Sequence, residues 1–169
     1  MPQIVQPSDG PQRKAVIVGG GPAGLEAARV LGERGHHVIL FEAAPKLGGQ
    51  ILMGVQASWR TDLAGIVDWR SNEAQRLGVD VRTSQYAELE DVLAENPDIV
   101  IIATGGVPDL DWLEGVEHCT SAWDFLTGNA AVGEDVLVYD GTGRHPALQC
   151  SEHAATSGAK TALVSIDGE

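Results

Sequence analysis

The residues whose spacing points most directly to chemistry are three glycines near the N-terminus. Gly19, Gly21 and Gly24 form a Gly-x-Gly-x-x-Gly pattern directly after a short apolar run. In such a pattern the first glycine permits a tight turn, the second lets a pyrophosphate approach the backbone, and the third lets the next helix pack closely on the strand. The first turn of that helix, with Pro22 and Ala23, offers N–H groups and the positive end of the helix dipole. The pattern therefore predicts a phosphate-binding turn.

An acidic residue about twenty positions further on completes the pattern. Glu42, followed by Ala43, ends a second apolar run, Val38–Phe41. A carboxylate at that place accepts hydrogen bonds from a ribose diol, and it disfavours a 2′-phosphate because like charges would meet. A glycine pattern alone is a weak signal, but a preceding strand, a following helix and this acid together predict an adenine-dinucleotide site.

Two further motifs extend the candidate site. Gly48-Gly49-Gln50 follows shortly after the acid, and a glycine pair there lets the chain run close against an extended cofactor. Ala103-Thr104-Gly105-Gly106 follows a strongly apolar run, and ligands of open parallel sheets bind outside the carboxyl ends of the strands. Both motifs favour a flavin dinucleotide over a nicotinamide dinucleotide.

Apolar periodicity supplies the elements that position these motifs. Apolar runs predict strands at Ala15–Val18, Val38–Phe41, Val79–Arg82, Ile99–Ala103, Leu137–Tyr139 and Ala162–Ser165. Amphipathic patterns predict helices from the glycine turn to about Glu33, and over Arg60–Leu77, Leu89–Ala94 and Pro146–Thr156. Strand, turn, helix and strand in this order form a βαβ unit. The predicted fold is therefore α/β, a Rossmann-like open parallel sheet with helices on both faces.

A second, shorter βαβ pattern begins near residue 134. Its glycines, Gly141 and Gly143, fit a phosphate turn, but Pro146 occupies the third glycine position. Proline removes an N–H and blocks close helix packing, so dinucleotide binding at this half is doubtful. We assign 1–13 to a linker, 14–133 to an FAD-type dinucleotide-binding half, and 134–169 to the start of a second, NAD(P)-like unit that is truncated.

Composition narrows the possible partners and compartment. The chain has 169 residues, with 11 basic and 24 acidic residues and a net charge of -13. Such a surface repels nucleic acid and anionic membranes, so neither is expected as a partner. Its two cysteines, Cys119 and Cys150, lie far apart, which predicts no metal site and a cytoplasmic location. No apolar run approaches the ~20 residues that span a bilayer.

Taken together, the motifs resemble a known superfamily. The glycine turn, Leu40-Phe41-Glu42, Gly48-Gly49-Gln50 and Ala103–Gly106 are similar to the FAD-binding half of flavoproteins with two dinucleotide-binding folds. Within it, residues 15–106 most resemble the C-terminal region of the trimethylamine dehydrogenase, 2,4-dienoyl-CoA reductase and N-methylproline or dimethylglycine demethylase family. Phe41-Glu42-Ala43, Leu47–Gln50 and the stretch 65–81 are similar to the demethylase branch in particular.

This resemblance implies more than the chain contains. Members of the family carry an upstream (β/α)₈ barrel with FMN and a cysteine-ligated iron–sulfur cluster. We expect neither in this chain, because two cysteines are too few and the barrel is too long. Residues 1–13 fit the joint to such a barrel. The chain is thus expected to be an excised piece that binds a nucleotide without completing catalysis, and its catalytic residues are unknown.

The resemblance implies the dinucleotide-binding portion of a flavin-dependent oxidoreductase, of the N-methyl amino acid or amine demethylase or the enoate reductase type, binding FAD or its ADP moiety. The alternative is a non-catalytic ADP-binding module that docks the barrel or an electron-transfer partner. A plain NAD-dependent dehydrogenase is disfavoured by the missing substrate domain.

Several residues that invite a catalytic or stacking role are expected to be structural. His118 and Cys119 are adjacent, but a nucleophile and base adjacent in sequence rarely form a catalytic pair, and no third orienting group is evident. The other residues expected to be structural are His36, His37, Cys150, His153 and the four tryptophans, Trp59, Trp69, Trp112 and Trp123.

Overall fold

The computed structural model of the chain describes residues 4–166. Residues 1–3 of the predicted linker and 167–169 of the predicted second unit lie outside the described residues. The chain divides into two compact units. The first comprises the described residues up to Ile51 together with Leu63–Gly105, and the second comprises Leu52–Asp62 together with the described residues from Gly106 onwards.

The first unit is built on a four-stranded parallel sheet in the order β3-β2-β1-β4. Its strands are β1 (Lys14–Val18), β2 (His37–Phe41), β3 (Asp80–Arg82) and β4 (Ile99–Ile102), and its helices are α1 (Pro22–Glu33), α3 (Ala64–Arg76) and α4 (Leu89–Ala94). This parallel arrangement confirms the predicted α/β fold. Because parallel strands end at one edge, the chain segments after β1, β2 and β4 meet there.

Alternating residues of the inner strands face two separate cores. On one face Ile17 and Leu40 pack with Leu25 and Ala28 of α1 and Val67 of α3. On the other face a second set packs together, comprising Val16, Ile39, Phe41 and Val92. Strands buried on both faces read as continuous apolar runs, which is why β1 and β2 were recognisable from sequence.

The second unit contains a separate two-stranded parallel sheet of β5 (Asp135–Asp140) and β6 (Lys160–Ser165), connected by α6 (His145–Thr156). Leu126, Val138, Ala147 and Cys150 form its buried cluster. This confirms the second βαβ pattern. The stretch 106–133, which the sequence assignment placed with the FAD-type half, packs within this unit.

Some boundaries differ from those predicted. The helix expected from Arg60 begins as a 3₁₀ turn over Thr61–Leu63, and α3 starts at Ala64. The stretch 43–57, where no helix was predicted, contains α2 (Ile51–Gly54).

Two short elements also lie within 107–133, where neither helix nor strand was predicted, a 3₁₀ turn (Val116–His118) and α5 (Ala122–Leu126). Ser121 caps α5 by accepting a hydrogen bond from the Asp124 N–H at 3.0 Å. A serine followed three residues later by an acid is a readable helix start. None of the helices described within residues 4–166 is long and apolar enough to cross a membrane.

Candidate dinucleotide site

The turn between β1 and α1 requires glycine at its first position. The Gly19 N–H donates to the Phe41 carbonyl oxygen at 2.8 Å, which holds the turn against the end of β2. Gly19 has φ of 110°, in the region that favours glycine. A Cβ at this position would collide with the Ala103 carbonyl oxygen at the end of β4. The tight turn inferred from the motif is therefore present, and its neighbour is the third motif.

The other two motif glycines have opposite surroundings. Gly24 is buried, and a Cβ there would collide with the Gly19 carbonyl oxygen, so close helix packing excludes any side chain. A Cβ on Gly21 would meet open space, its nearest contact being the Gly49 Cα at 4.0 Å. Pro22 and Ala23 are exposed beside it. Gly21 is the N-cap of α1 and has no side chain to satisfy the first N–H groups, which remain available to an anion.

Glu42 lies directly after β2, with its carboxylate turned toward the glycine turn. One oxygen, Oε2, accepts from the Gly20 N–H at 2.6 Å, and Oε1 accepts from the Ala44 N–H at 2.7 Å. The Glu42 side chain is half-buried, and Ala43 beside it is exposed. Two backbone donors thus hold the predicted ribose ligand at the edge of the turn.

The Gly48-Gly49-Gln50 motif packs directly on this turn. The Gly48 N–H donates to the Gly20 carbonyl oxygen at 2.9 Å. Gly49 has φ of 52°, and a Cβ there would lie 3.2 Å from the Gly21 Cα. The glycine pair is therefore part of the same backbone surface as the predicted phosphate-binding turn.

The third motif reaches this surface from β4. The Ala103 N–H donates to the Val18 carbonyl oxygen at 2.8 Å, which extends the β1–β4 pairing to the start of the glycine turn. Thr104 and Gly105 follow and are exposed. Gly105 has φ of 75°, and a Cβ there would lie 3.7 Å from Gln50 Nε2. Residues from three widely separated segments of sequence thus meet at the glycine turn.

Comparisons with known proteins find relatives of this chain among oxidoreductases. A family model described as an NAD(P)-binding Rossmann-like domain matches residues 17–77. The chain is 53% identical over 155 residues to the multifunctional alkene reductase/demethylase OYE of Caballeronia cordobensis. It is 49% identical over 157 residues to a probable N-methylproline demethylase of Rhizobium meliloti (strain 1021). The chain therefore contains an NAD(P)-binding Rossmann-like domain and is similar to one part of these longer relatives.

The likeness to this family extends to solved structures. The structure of a 2-naphthoyl-CoA reductase in complex with 2-naphthoyl-CoA superposes with a TM-score of 0.87 at 29% identity, covering 95% of this chain and 24% of that one. The two sequence alignments cover 92% of this chain and 23% of each relative. The resemblance inferred from the motifs is thereby confirmed, and the chain spans about a quarter of the length of the curated relatives it matches.

The second glycine turn differs from the first because a side chain of the protein already occupies it. Asp140, at the end of β5, is 7% exposed. Its Oδ1 accepts from the Thr142 N–H at 3.0 Å, the Thr142 hydroxyl at 3.2 Å and the Gly143 N–H at 2.9 Å. These hydrogen bonds, that of the Thr142 N–H foremost, hold the pKa of the Asp140 carboxyl below its ordinary value. A phosphate would have to displace this carboxylate from the turn, which adds to the obstacle expected from Pro146.

Sequence reasoning missed Asp140, although a signal was present. An aspartate at the end of a strand, two residues before an N–H that needs a partner, is typical of an Asx turn. Gly141 and Gly143 instead indicated a phosphate-binding turn. This turn is therefore better described as self-capped than as an incomplete phosphate site.

Replacing Asp140 with asparagine tests that description. We expect Asp140→Asn to lower the free energy of unfolding by about 1–3 kcal/mol at pH 7, because a buried charged acceptor is lost. The folded-state pKa is depressed, so the carboxylate stabilises the fold above its unfolded pKa of about 3.9, and that stabilisation disappears as pH falls through the folded pKa. Urea denaturation of both proteins at pH 7 and at about pH 3 measures the difference.

A matched control lies at the other end of the same strand. Asp135 pairs with Lys160 at 3.8 Å, and its side chain is 78% exposed. Asp135→Asn is therefore expected to change stability by less than about 0.5 kcal/mol. A difference between wild type and Asp140→Asn that stays constant from pH 7 to pH 3 would contradict the role assigned to the charge.

Residues set aside from catalysis lie in settings that fit a structural role. The Cys150 thiol is buried, and burial raises its pKa to about 11, so it stays protonated at neutral pH. Cys119 is exposed, and its Sγ lies 3.8 Å from the Gly115 carbonyl oxygen. Between residues 4 and 166, no group of three or more His, Cys, Asp or Glu side chains is placed to hold a metal ion.

Proposed function

We propose that this chain binds an adenine dinucleotide of the FAD type, or its ADP moiety, as one part of a flavin-dependent oxidoreductase. The observation that carries the proposal is the open position at Gly21, the N-cap of α1, with the Gly49 Cα beside it and the Glu42 carboxylate bonded to the N–H of the neighbouring Gly20. Such a surface fits a pyrophosphate because it offers backbone donors and no side chain that would block close approach.

In this proposal each motif holds a different part of the ligand. The N–H groups of Gly21, Ala23 and Gly24 lie nearest the pyrophosphate, with the ring of Pro22 beside it. Glu42 accepts from the ribose diol, with Ala43 next to it. The backbone of Gly49, Gln50, Ala103, Thr104 and Gly105 borders the rest of an extended cofactor. A bound flavin supplies the redox chemistry, and this chain binds and orients it.

The reaction class is proposed from the relatives. Their names include an alkene reductase/demethylase and an N-methylproline demethylase, so demethylation of an N-methyl amino acid or reduction of an activated alkene is the activity we propose for the complete enzyme. The upstream barrel with FMN and an iron–sulfur cluster, an electron-transfer partner and a cytoplasmic location all stay predictions. We assign no catalytic residue within the chain.

A second candidate function is an ADP-binding module without redox chemistry of its own. The self-capped turn at Asp140 favours it, because a second dinucleotide such as NAD(P)H finds no open phosphate turn there. An absorption spectrum of the purified chain, with identification of any nucleotide released on denaturation, separates the two. Released FAD supports the flavoprotein, whereas a colourless protein that binds ADP alone supports the module.

Replacing Glu42 with alanine tests the ribose contact. We expect Glu42→Ala to weaken ADP binding by about 1–3 kcal/mol, roughly 5–150-fold in Kd, because a charged hydrogen-bond acceptor is lost. Isothermal titration calorimetry measures the change. Glu90→Ala, which removes an exposed carboxylate from α4, is the matched control and should leave the Kd unchanged. Equal affinity of Glu42→Ala and wild type would remove Glu42 from the site.

A further inference from the structure

We propose that Gly20 is a positioning residue for Glu42, although the Gly-x-Gly-x-x-Gly pattern leaves its position unspecified. The inference rests on the proposed function, since it concerns how the ribose ligand is held. Gly20 is buried and lies between Gly19 and Gly21 in the turn. Both of its backbone polar groups bond to other parts of the site rather than to its own segment.

The first part of the argument is this pair of hydrogen bonds. The Gly20 N–H donates to Glu42 Oε2 at 2.6 Å, and the Gly20 carbonyl oxygen accepts from the Gly48 N–H at 2.9 Å. The other carboxylate oxygen of Glu42 accepts from the Ala44 N–H at 2.7 Å. Each oxygen keeps lone-pair capacity for a ribose hydroxyl, so the two amides fix the carboxylate without exhausting it as an acceptor.

The second part is the space around the Gly20 Cα. A Cβ added there would lie 2.5 Å from Leu47 Cδ2, 2.9 Å from Glu42 Oε2 and 3.1 Å from Glu42 Cβ. All three atoms belong to side chains, and the two shorter contacts are with the movable ends of those side chains. An alanine at this position is therefore accommodated by rotating Glu42 and Leu47, and the carboxylate leaves its place.

The neighbouring glycines set Gly20 apart. Added Cβ atoms at Gly19 and Gly24 would collide with backbone carbonyl oxygens, so substitutions there disturb the turn itself. At Gly21 an added Cβ would enter the open space where the phosphate is proposed to bind. Among Gly19, Gly20, Gly21 and Gly24, only an added Cβ at Gly20 would contact the acid at the end of β2. Preorganising that acid lowers the cost of ordering it when the ribose binds.

The test measures the contribution of the ribose diol to binding separately from that of the rest of the nucleotide. Calorimetric titrations with ADP and with 2′,3′-dideoxy-ADP give the preference of each variant for the diol. Wild type is expected to prefer ADP about tenfold or more, whereas Gly20→Ala is expected to lose most of that preference and to bind the dideoxy compound as wild type does. Combining Gly20→Ala with Glu42→Ala should weaken ADP binding no further than Glu42→Ala alone, because both act on the same contact.

A second pair of variants keeps the test decisive if Gly20→Ala folds poorly. Leu47→Ala removes the nearest obstacle, so Gly20→Ala in that background retains only the conflict with Glu42. Leu47→Ala alone should keep the diol preference, and the double variant should lose it. Gly65→Ala, an exposed helix position with open space around it, is a control that should match wild type.

The outcomes distinguish this inference from the function on which it rests. Equal weakening of both nucleotides by Gly20→Ala would show that the residue acts on the phosphate turn, and would overturn the positioning role alone. An undiminished diol preference in Gly20→Ala would also overturn the positioning role alone. Failure of wild type to bind ADP would overturn the proposed function and the inference together.

Discussion

Replacing Gly19 with alanine is expected to lower the free energy of unfolding of the first unit by about 2–6 kcal/mol. Two effects contribute. A Cβ would collide with the Ala103 carbonyl oxygen, and overpacking against a fixed neighbour costs about 1–3 kcal/mol. The backbone at φ of 110° would also be strained for alanine, at about 1–3 kcal/mol. Amide hydrogen exchange of β1 and β2 measures the loss within this unit.

Gly35 provides a matched control for the strain alone. It also has a positive φ, 86°, but a Cβ there meets nothing within 4 Å. Gly35→Ala should therefore destabilise by only about 1–2 kcal/mol. If the two variants lose the same stability, the contact between the glycine turn and the end of β4 contributes nothing, and the structural account of Gly19 is wrong. ADP binding should fall for Gly19→Ala and stay unchanged for Gly35→Ala.

Phe41→Ala is expected to destabilise the first unit by about 3–5 kcal/mol, the range for removing a large aromatic side chain from a packed core. Phe41 is 1% exposed and packs with Val16, Ile39 and Val92. The Arg82 guanidinium carbon also lies 5.1 Å from its ring centroid, so a cation–π contact is lost as well. Urea denaturation followed by circular dichroism, together with exchange of the β2 amides, measures the effect.

An exposed aromatic residue of the same unit serves as the control. Tyr86 is 78% exposed, and Tyr86→Ala should change stability by less than about 0.5 kcal/mol. A loss below about 1 kcal/mol for Phe41→Ala would contradict its place in the core. Because Glu42 follows Phe41 directly, a destabilised β2 should also weaken ADP binding, and the two losses should be compared in the same preparation.

The two glycine turns of the chain show how similar sequences can place an acid differently. In the first turn the nearby acid comes from the next strand and leaves the Gly21 position open. In the second turn the acid is Asp140, at the end of the strand itself, and it accepts the turn N–H groups directly. An open turn can bind an external anion, whereas a self-capped turn has satisfied those donors internally.

Local patterns of the sequence were sufficient for the βαβ units, the glycine turn and the acid at the end of β2. The helix over Leu89–Ala94 was predicted with the bounds that the structure has, and the other predicted strands and helices lie within a few residues of the observed ones, whereas α2 and α5 were not predicted. These features depend on neighbours in the chain, because apolar period, helix breakers and turn glycines act over a few residues. The family resemblance was also carried by such local motifs and was confirmed by comparison.

Tertiary structure decided how the motifs meet. The contact of Gly19 with Ala103, the packing of Gly49 on Gly21 and the hydrogen bond from Gly20 to Glu42 join residues that are distant in sequence. Each depends on the order β3-β2-β1-β4 and on the parallel register, which place the ends of β1, β2 and β4 side by side. No local pattern contains that register, because it results from burying both faces of the sheet at once.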